Sequence, residues 1–217
     1  MGTAQDRHTE QTPAKPGTQI RPCSAGPSAA GRVTHTIDPI FDERSRVLVL
    51  GTMPSPRSRE VGFYYGHPQN RFWRVLERMY GLEDQSLIDN DGRRTFLLAN
   101  GIALWDVLAS CEIAGASDTS IVDPVPNDLT RILDIAPIRT VCTTGGKANQ
   151  LCRRFHGDLL RTRHIELVGL PSTSPANARM RLDDLVAAYR AVGALAPAAT
   201  ELHGFGTAAT HEPPRER

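Results

Sequence analysis

Lysine is nearly absent from this chain of 217 residues. Of the 25 basic residues, only Lys15 and Lys147 are lysines, and the others are arginines. A mechanism that forms a Schiff base therefore has very few candidate amines. The formal net charge is only +1, so the chain as a whole is not a polycation. Any contact with nucleic acid must come from a local basic patch.

Cysteine and long apolar runs are also scarce. The four cysteines show no CxxC spacing, so we interpret those in the core as small buried residues of a reducing compartment. Without paired ligands we expect no metal site and no cofactor. No apolar run reaches 18 residues and no secretory h-region is present, which predicts a cytoplasmic protein without membrane contact.

Four familiar catalytic or nucleotide motifs are missing from the sequence. The absence of GxGxxG and of GxxxxGK[ST] argues against a dinucleotide site and a nucleoside triphosphatase. The absence of HExxH and GxSxG argues against a zinc protease and an α/β-hydrolase.

The composition divides the chain into one domain and two tails. Residues 1–36 and 197–217 are rich in Thr, Pro, Gly and Ala without apolar periodicity, and we predict that both are disordered. Residues 37–196 form the predicted domain, which we expect to be a monomer.

Apolar runs and helical patterns alternate within that domain. We predict strands over 46–51, 102–108, 139–146 and 164–172, and helices over 70–81, 92–101, 126–137, 147–155 and 181–195. This alternation predicts an α/β fold, a three-layer α-β-α sandwich around a four-stranded parallel sheet. Ligands bind outside the carboxyl ends of such strands, so the loops after them matter most.

The segments that end the four strands read GTMPSPRS, WD, TTGGKA and LPSTSPANARM. Free backbone N–H groups and small hydroxyls at helix starts favour phosphate oxygens. Taken alone, the first segment is more typical of a turn that ends a strand than of a site, and the third is more typical of a helix start. The fourth has more hydroxyl groups than a helix cap needs, which indicates a loop that faces phosphate.

The motifs LGTMPSPRSREVGFYYGHPQNRFWRVL, GIALWDVLASCEIAGASDTSI, VPNDL, TTGGKA and LPSTSPANA together resemble the hypoxanthine-DNA (deoxyinosine) glycosylase family of the uracil-DNA glycosylase superfamily. The likeness covers about residues 44–192. It implies a monofunctional enzyme that hydrolyses the bond between a deaminated base and its sugar in single- or double-stranded DNA. Such an enzyme flips the base into a pocket, and hypoxanthine is the substrate that the resemblance favours.

The resemblance also implies which residues form the site. The pocket residues would be Gly51, Met53, Pro54, Phe63, Tyr64, Tyr65, His67 and Asp106. The DNA-binding residues would be Ser55, Ser58, Lys147, Ser172, Thr173, Ser174, Asn177 and Arg179. Further arginines that flank these loops, and so extend a local basic patch, are Arg57, Arg59, Arg71 and Arg181.

Two positions depart from much of the superfamily. Met53 stands where many relatives carry an Asp, Asn or Glu that orients water, and Leu170 stands where many carry a catalytic His. Methionine cannot position water or accept its proton. The resemblance therefore favours Asn70 as the catalytic residue, acting by positioning, although Asn70 is also a good cap for the helix that follows.

Several alternatives remain open at this point. His67 can be structural or can donate to a base or phosphate, Asp106 can read the base edge or cap a turn, and Lys147 can bind phosphate or simply face solvent. Rival functions are uracil excision, a damage-binding module without catalysis, and an enzyme of free nucleosides. The intercalating loop that the resemblance implies at 170–177 argues against the last of these.

Overall fold

The computed structural model describes residues 31–115 and 117–195, and buried apolar runs form the central strands of its larger sheet. The strands are β1 (Gly31–Thr34), β2 (Val47–Gly51), β3 (Ile102–Asp106), β4 (Leu108–Ile113), β5 (Val122–Pro126), β6 (Thr140–Thr144) and β7 (Glu166–Leu170). The helices are α1 (Pro56–Val61), α2 (Phe72–Met79), α3 (Asn90–Ala99), α4 (Thr130–Leu133), α5 (Gly146–Thr162) and α6 (Leu182–Leu195), and a 3-10 helix spans Asp118–Ser120. The predicted tails lie outside the described residues, except for residues 31–36.

Four strands pair in parallel in the order β3-β2-β6-β7. Every residue of β2, β3 and β6 is buried, which explains why these strands read as continuous apolar runs. The outer edge of β3 is covered where Ile40 exchanges two backbone hydrogen bonds with Leu104. The predicted α/β fold with a four-stranded parallel sheet is confirmed.

The direction of the chain reverses between the two central strands. It runs from β2 to β3 on one side of the sheet and from β6 to β7 on the other. Because parallel crossovers are right-handed, these two connections lie on opposite faces. Helices α2 and α3 therefore cover one face together with α6, which packs on α2, and α5 covers the other. The carboxyl ends of β2 and β6 form the switch point where such sheets bind ligands.

A second, antiparallel sheet of order β1-β4-β5 corrects the prediction of one strand over 102–108. The chain breaks at Val107, and β4 leaves the parallel sheet. Buried Asn127 holds this break, since its Nδ2 donates to the carbonyls of Asp106 and Leu108, each at 3.0 Å. No glycine or proline marks Val107, so the break has no local signal.

Three further elements differ from the prediction. Strand β1 lies inside the segment assigned to the N-terminal tail, because its mostly exposed side chains show no apolar alternation. Helix α1 was missed in a Pro- and Ser-rich stretch, although Pro56 at its first position and Ser55 as N-cap are good start signals. The helix predicted over 126–137 shortens to α4, with Asp128 accepting from the Thr130 N–H.

The cysteines in the described part of the chain, Cys111, Cys142 and Cys152, are buried and free. Burial raises the pKa of the Cys142 and Cys152 thiols to about 12. These thiols therefore act as small apolar groups, as the sequence indicates. Within residues 31–115 and 117–195, no helix combines the length and the apolar character that crossing a bilayer requires.

We predict that Asn127→Ala destabilises the protein, because it leaves two buried carbonyl groups at the β3–β4 break without their side-chain donor. The expected loss is about 1–3 kcal/mol, measured as a shift in the midpoint of urea unfolding. Gln150→Ala, at an exposed position of α5, is the control and should stay within about 0.5 kcal/mol of the native chain. Equal midpoints for both variants would contradict the role given to Asn127.

Candidate active site

A cavity of about 660 Å³ opens at the switch point of the parallel sheet. Its wall brings together the ends of β2, β3 and β6 with residues between 64 and 70, between 113 and 119, and between 172 and 177. The four loops that the sequence singled out therefore meet in one place. The volume lies within the range of ordinary small-molecule sites.

Gly51 and Asp106 form the buried end of the cavity. They are paired in register across β2 and β3. A Cβ at position 51 would lie 2.2 Å from Asp106 Oδ1, so only glycine leaves room for the carboxylate. The other oxygen, Oδ2, lies 2.9 Å from His35 Nε2. Asp106 thus presents a fixed acceptor to the cavity rather than a cap for a turn.

His35 is a functional-site residue that sequence reasoning missed, since it lies in the segment assigned to the tail. Its Nδ1 accepts the backbone N–H of Ile37 at 3.2 Å, so Nδ1 carries no proton. In the neutral ring Nε2 then carries the proton and donates it to Asp106. Strand β1 holds His35 in place through its pairing with β4.

The three aromatic residues predicted to meet a base occupy different places. Phe63 is 4 % exposed and packs on Trp73 in the core, which corrects its assignment to the pocket. Tyr64 is 2 % exposed and donates its hydroxyl to the carbonyls of Ile37 and Asp38, so only part of it reaches the cavity wall.

Tyr65 is the half-buried aromatic residue of this group and lines the cavity. One face of its ring stacks on Phe72, with 3.9 Å between centroids and 17° between planes. Its φ of 51° lies in the left-handed region, which is unusual for an aromatic residue. Its hydroxyl is 2.9 Å from Thr144 Oγ1, and burial raises its pKa far above the ordinary value. The ring is therefore held rigidly as a neutral phenol.

Asn70 forms the helix cap that the sequence predicted and also lies on the cavity wall, while its catalytic role stays a prediction. Its Oδ1 accepts the backbone N–H of Phe72 at 3.0 Å, which caps the first turn of α2, and also the hydroxyl of Thr173 at 2.9 Å. Both lone pairs of this oxygen are thereby occupied. The side chain lines the cavity, and within the described residues no protein acceptor lies within hydrogen-bonding distance of Nδ2.

Arg71 turns inward, which corrects its assignment to a basic patch. Its guanidinium donates to the carbonyls of Thr173, Ser174, Asn177 and Met180, and its backbone N–H also donates to Thr173. The start of α2 is thereby tied to the loop that follows β7. Arg71 acts as the organising centre of the 171–180 loop.

Most polar groups predicted to face phosphate line the cavity and also build its loops. Ser55 caps α1, and buried Ser58 accepts the N–H of Gly66 at 3.1 Å. Thr173 is 1 % exposed and donates to Asn70. In the same loop the side chains of Ser172 and Ser174 accept backbone N–H groups, and Asn177 donates to a backbone carbonyl. The hydroxyl-rich composition therefore reflects loop structure as well as a surface.

Of the remaining predicted residues, four lie on the cavity wall and one lies outside it. Met53, Pro54, His67 and Lys147 line the cavity, and Arg179 is exposed outside it. His67 is exposed, and its Nδ1 accepts the Gln69 N–H. Lys147 is half-buried in the first turn of α5, directly after Gly145 and Gly146. Gly145 has a φ of 104°, a conformation that favours glycine.

Asp118 is a second carboxylate of the cavity wall that sequence reasoning did not single out. It lies in the 3-10 helix between β4 and β5, and its Oδ2 accepts the hydroxyl of Thr52 at 2.8 Å. Burial raises its pKa, and the nearby Asp106 adds to this, whereas the Thr52 hydrogen bond and Lys147 lower it. No pattern in the sequence connects Asp118 to the first loop, because 66 residues separate it from Thr52.

Leu170 is 5 % exposed at the end of β7 and packs in the core. The structure thus places no acid or base of its own at position 53 or position 170. In the described ranges 31–115 and 117–195, no group of three His, Cys, Asp or Glu side chains is arranged to hold a metal ion.

The parallel sheet and the cavity at its switch point, with a few polar groups on a largely apolar wall, define an α/β protein with an enzyme-like pocket. The model of the uracil DNA glycosylase superfamily matches residues 39–193. The chain therefore belongs to the uracil DNA glycosylase superfamily and is a DNA glycosylase.

Two curated relatives are similar over most of their length. A hypoxanthine DNA glycosylase of Methanosarcina barkeri (strain Fusaro / DSM 804) is 36% identical over 142 residues, which cover 65% of this chain and 86% of the relative. A hypoxanthine DNA glycosylase of Methanosarcina acetivorans is 35% identical over 141 residues, covering 64% and 85%. A solution NMR structure of a candidate uracil DNA glycosylase from Methanosarcina acetivorans superimposes with a TM-score of 0.61 at 31% identity, covering 73% of this chain and 98% of that one.

We predict that Arg71→Met loosens the loop at 171–180, because its carbonyls lose their shared donor. Hydrogen exchange of amides in this loop should become at least about tenfold faster, as expected when one charge-assisted contact of about 1.5–3 kcal/mol is removed. Arg179→Met, an exposed change in the same loop, is the control and should leave exchange unaltered. Equal exchange in both variants would contradict the organising role of Arg71.

Proposed function

We propose that this glycosylase removes deaminated bases from DNA, chiefly hypoxanthine from deoxyinosine, with water as the nucleophile and without a covalent intermediate. The observation that carries the proposal is the fixed carboxylate of Asp106 at the buried end of a cavity of base-binding size. The two curated relatives named hypoxanthine DNA glycosylase support the same choice of substrate.

Asp106 suits the edge that deamination creates. Deamination of adenine replaces the ring acceptor N1 by an N–H group beside a new carbonyl. Because His35 donates to Oδ2, Asp106 is held as an acceptor, and its Oδ1 remains to receive such an N–H. Adenine itself offers no ring N–H at that position, and a site built for one rejects the analogue that lacks it.

Base flipping is part of the proposal, because an N-glycosidic bond cannot be reached inside a stacked duplex. Tyr65 is the residue that best fits the flipped base, since its ring lines the cavity and Phe72 supports its rear face. Stacking on an aromatic ring contributes about 1–3 kcal/mol per base. The fixed hydroxyl–Thr144 contact keeps this ring in place before the base arrives.

DNA backbone binding is assigned to the rim of the same cavity. Lys147 and the free N–H groups at the start of α5 offer positive charge there. Exposed Arg179 extends this surface along the loop that Arg71 organises. Asn70 is proposed to hold the attacking water through Nδ2, since its Oδ1 is already occupied.

We predict that the protein forms abasic sites in duplexes that carry a single inosine, with slower reaction on uracil and xanthine. Alkaline cleavage of the product strand measures the reaction, and an undamaged adenine duplex is the control. Tight binding to all damaged duplexes without any abasic product would instead identify a damage-binding module. A protein–DNA adduct trapped by borohydride would contradict the water nucleophile.

We predict that Asn70→Asp slows excision by about 100-fold, the effect expected when one pre-positioned donor is removed. The aspartate keeps an acceptor for the Phe72 N–H and the Thr173 hydroxyl, so the helix cap is preserved. Gln69→Ala, at an exposed neighbouring position outside the cavity wall, is the control. A wild-type single-turnover rate in Asn70→Asp would reduce Asn70 to a helix cap.

A further inference from the structure

We propose that Asp118 is the general base of the reaction, taking the proton of the water that attacks the sugar. This assignment rests on the proposed function, which names the reaction but leaves the proton without an acceptor. His67 also lines the cavity, but its Nδ1 accepts the Gln69 N–H, so Nε2 of the neutral ring carries a proton and has no lone pair to accept another.

Positions 53 and 170, where the resemblance implies that many relatives carry catalytic side chains, hold no acid or base in this chain. Met53 lines the cavity but cannot accept a proton, and Leu170 packs in the core. Asn70 reaches the cavity, yet its Oδ1 already accepts two hydrogen bonds. An amide is in any case not a base at neutral pH. Asn70 can therefore hold the oxygen of the water but cannot receive its proton.

Two carboxylates belong to the described wall of the cavity, those of Asp106 and Asp118. Asp106 is 4 % exposed beside Gly51, at the end where a base would sit. Asp118 is half-buried between the exposed residues Ser117 and Thr119, and so lies nearer the mouth. A flipped nucleotide enters base first and keeps its sugar toward the mouth, so Asp118 is the carboxylate on the sugar side.

The surroundings of Asp118 fix its direction and strengthen it as a base. The Thr52 hydroxyl holds Oδ2 at 2.8 Å, which leaves Oδ1 for the water. The charged and titratable groups that act on it or feel its charge are Asp106 of β3, Lys147 of α5, Cys111 of β4 and Tyr65. Burial, the largest influence, raises the pKa of Asp118. A carboxylate of higher pKa is a better proton acceptor once it is ionised.

The step balances without a further reactant. The water oxygen forms a bond to C1′ while the C1′–N bond breaks and its electron pair goes to the departing base. One water proton passes to Asp118 Oδ1 and from there to solvent, and the departing base takes one proton from solvent in its place, so that one water is consumed in all. The negative charge of Asp118 also stabilises the cationic sugar that develops on the way.

The test compares Asp118→Asn with wild type in single-turnover excision from the inosine duplex. The variant keeps an acceptor for the Thr52 hydroxyl but loses the base, so the rate should fall at least about 100-fold. Because the base must be ionised, the wild-type rate should rise with pH through the pKa of Asp118, and this acid limb should be missing from the variant. Asp158→Asn, an exposed change on α5, is the control.

The results distinguish a failure of the role given to Asp118 from a failure of the proposed function. A wild-type rate in Asp118→Asn, or a wild-type profile without an acid limb, overturns the role of Asp118 while the proposed function stands. Loss of activity in Asp118→Ala and Thr52→Val, with Asp118→Asn unaffected, also overturns it, because only the contact with Thr52 would then matter. Absence of abasic product from wild type on inosine, uracil and xanthine duplexes overturns both proposals.

Discussion

The close approach of the Asp106 carboxylate to the backbone of Gly51 is the contact on which the rest of the site depends. The two residues are register partners on β2 and β3, and a Cβ at position 51 would meet Asp106 Oδ1 at 2.2 Å. Two elements outside the parallel sheet hold this contact in place. His35 of the segment after β1 donates to the carboxylate, and Asn127 donates to the carbonyl of the same residue. The segments that follow β1 and β5 of the small antiparallel sheet thus position one side chain of the larger sheet.

Hydrogen bonds of the same kind hold the loops around the cavity. Thr173 donates to Asn70, Arg71 gathers carbonyls of the 171–180 loop, and Ser58 accepts from Gly66. Each of these groups forms a hydrogen bond with a backbone or side-chain partner that burial would otherwise leave unpaired. Leaving such a partner unpaired would destabilise the protein by about 1–3 kcal/mol. A wall built in this way is rigid before any ligand binds. Rigid placement of donors and acceptors is what allows them to act without reorganisation during a reaction.

The sequence predicted the parallel sheet and the convergence of its loops because both depend on local pattern. Continuous apolar runs such as those of β2 and β6 report burial on both faces directly, and parallel strands bring their carboxyl ends to one edge. What the sequence did not predict depends on partners distant in the chain. His35 is 71 residues from Asp106 and Asp118 is 66 from Thr52, and neither has a periodic context. The same limit applies to Arg71 and Ser58, whose residue types indicate a surface until the contacts show that they face inward.

Met53 and Leu170 bring no charge to the site, but the cavity is not without charge, since carboxylates reach it from two other elements. Asp106 comes from the end of β3 and Asp118 from the 3-10 helix before β5, and Lys147 lines the same cavity from α5. In a partly buried site, charges act through a lower effective dielectric than in water and so act more strongly. Bond cleavage of this class develops positive charge on the sugar and negative charge on the base. A carboxylate on the sugar side of the cavity can stabilise that positive charge, so the wall can support this reaction although Met53 supplies no group that orients water.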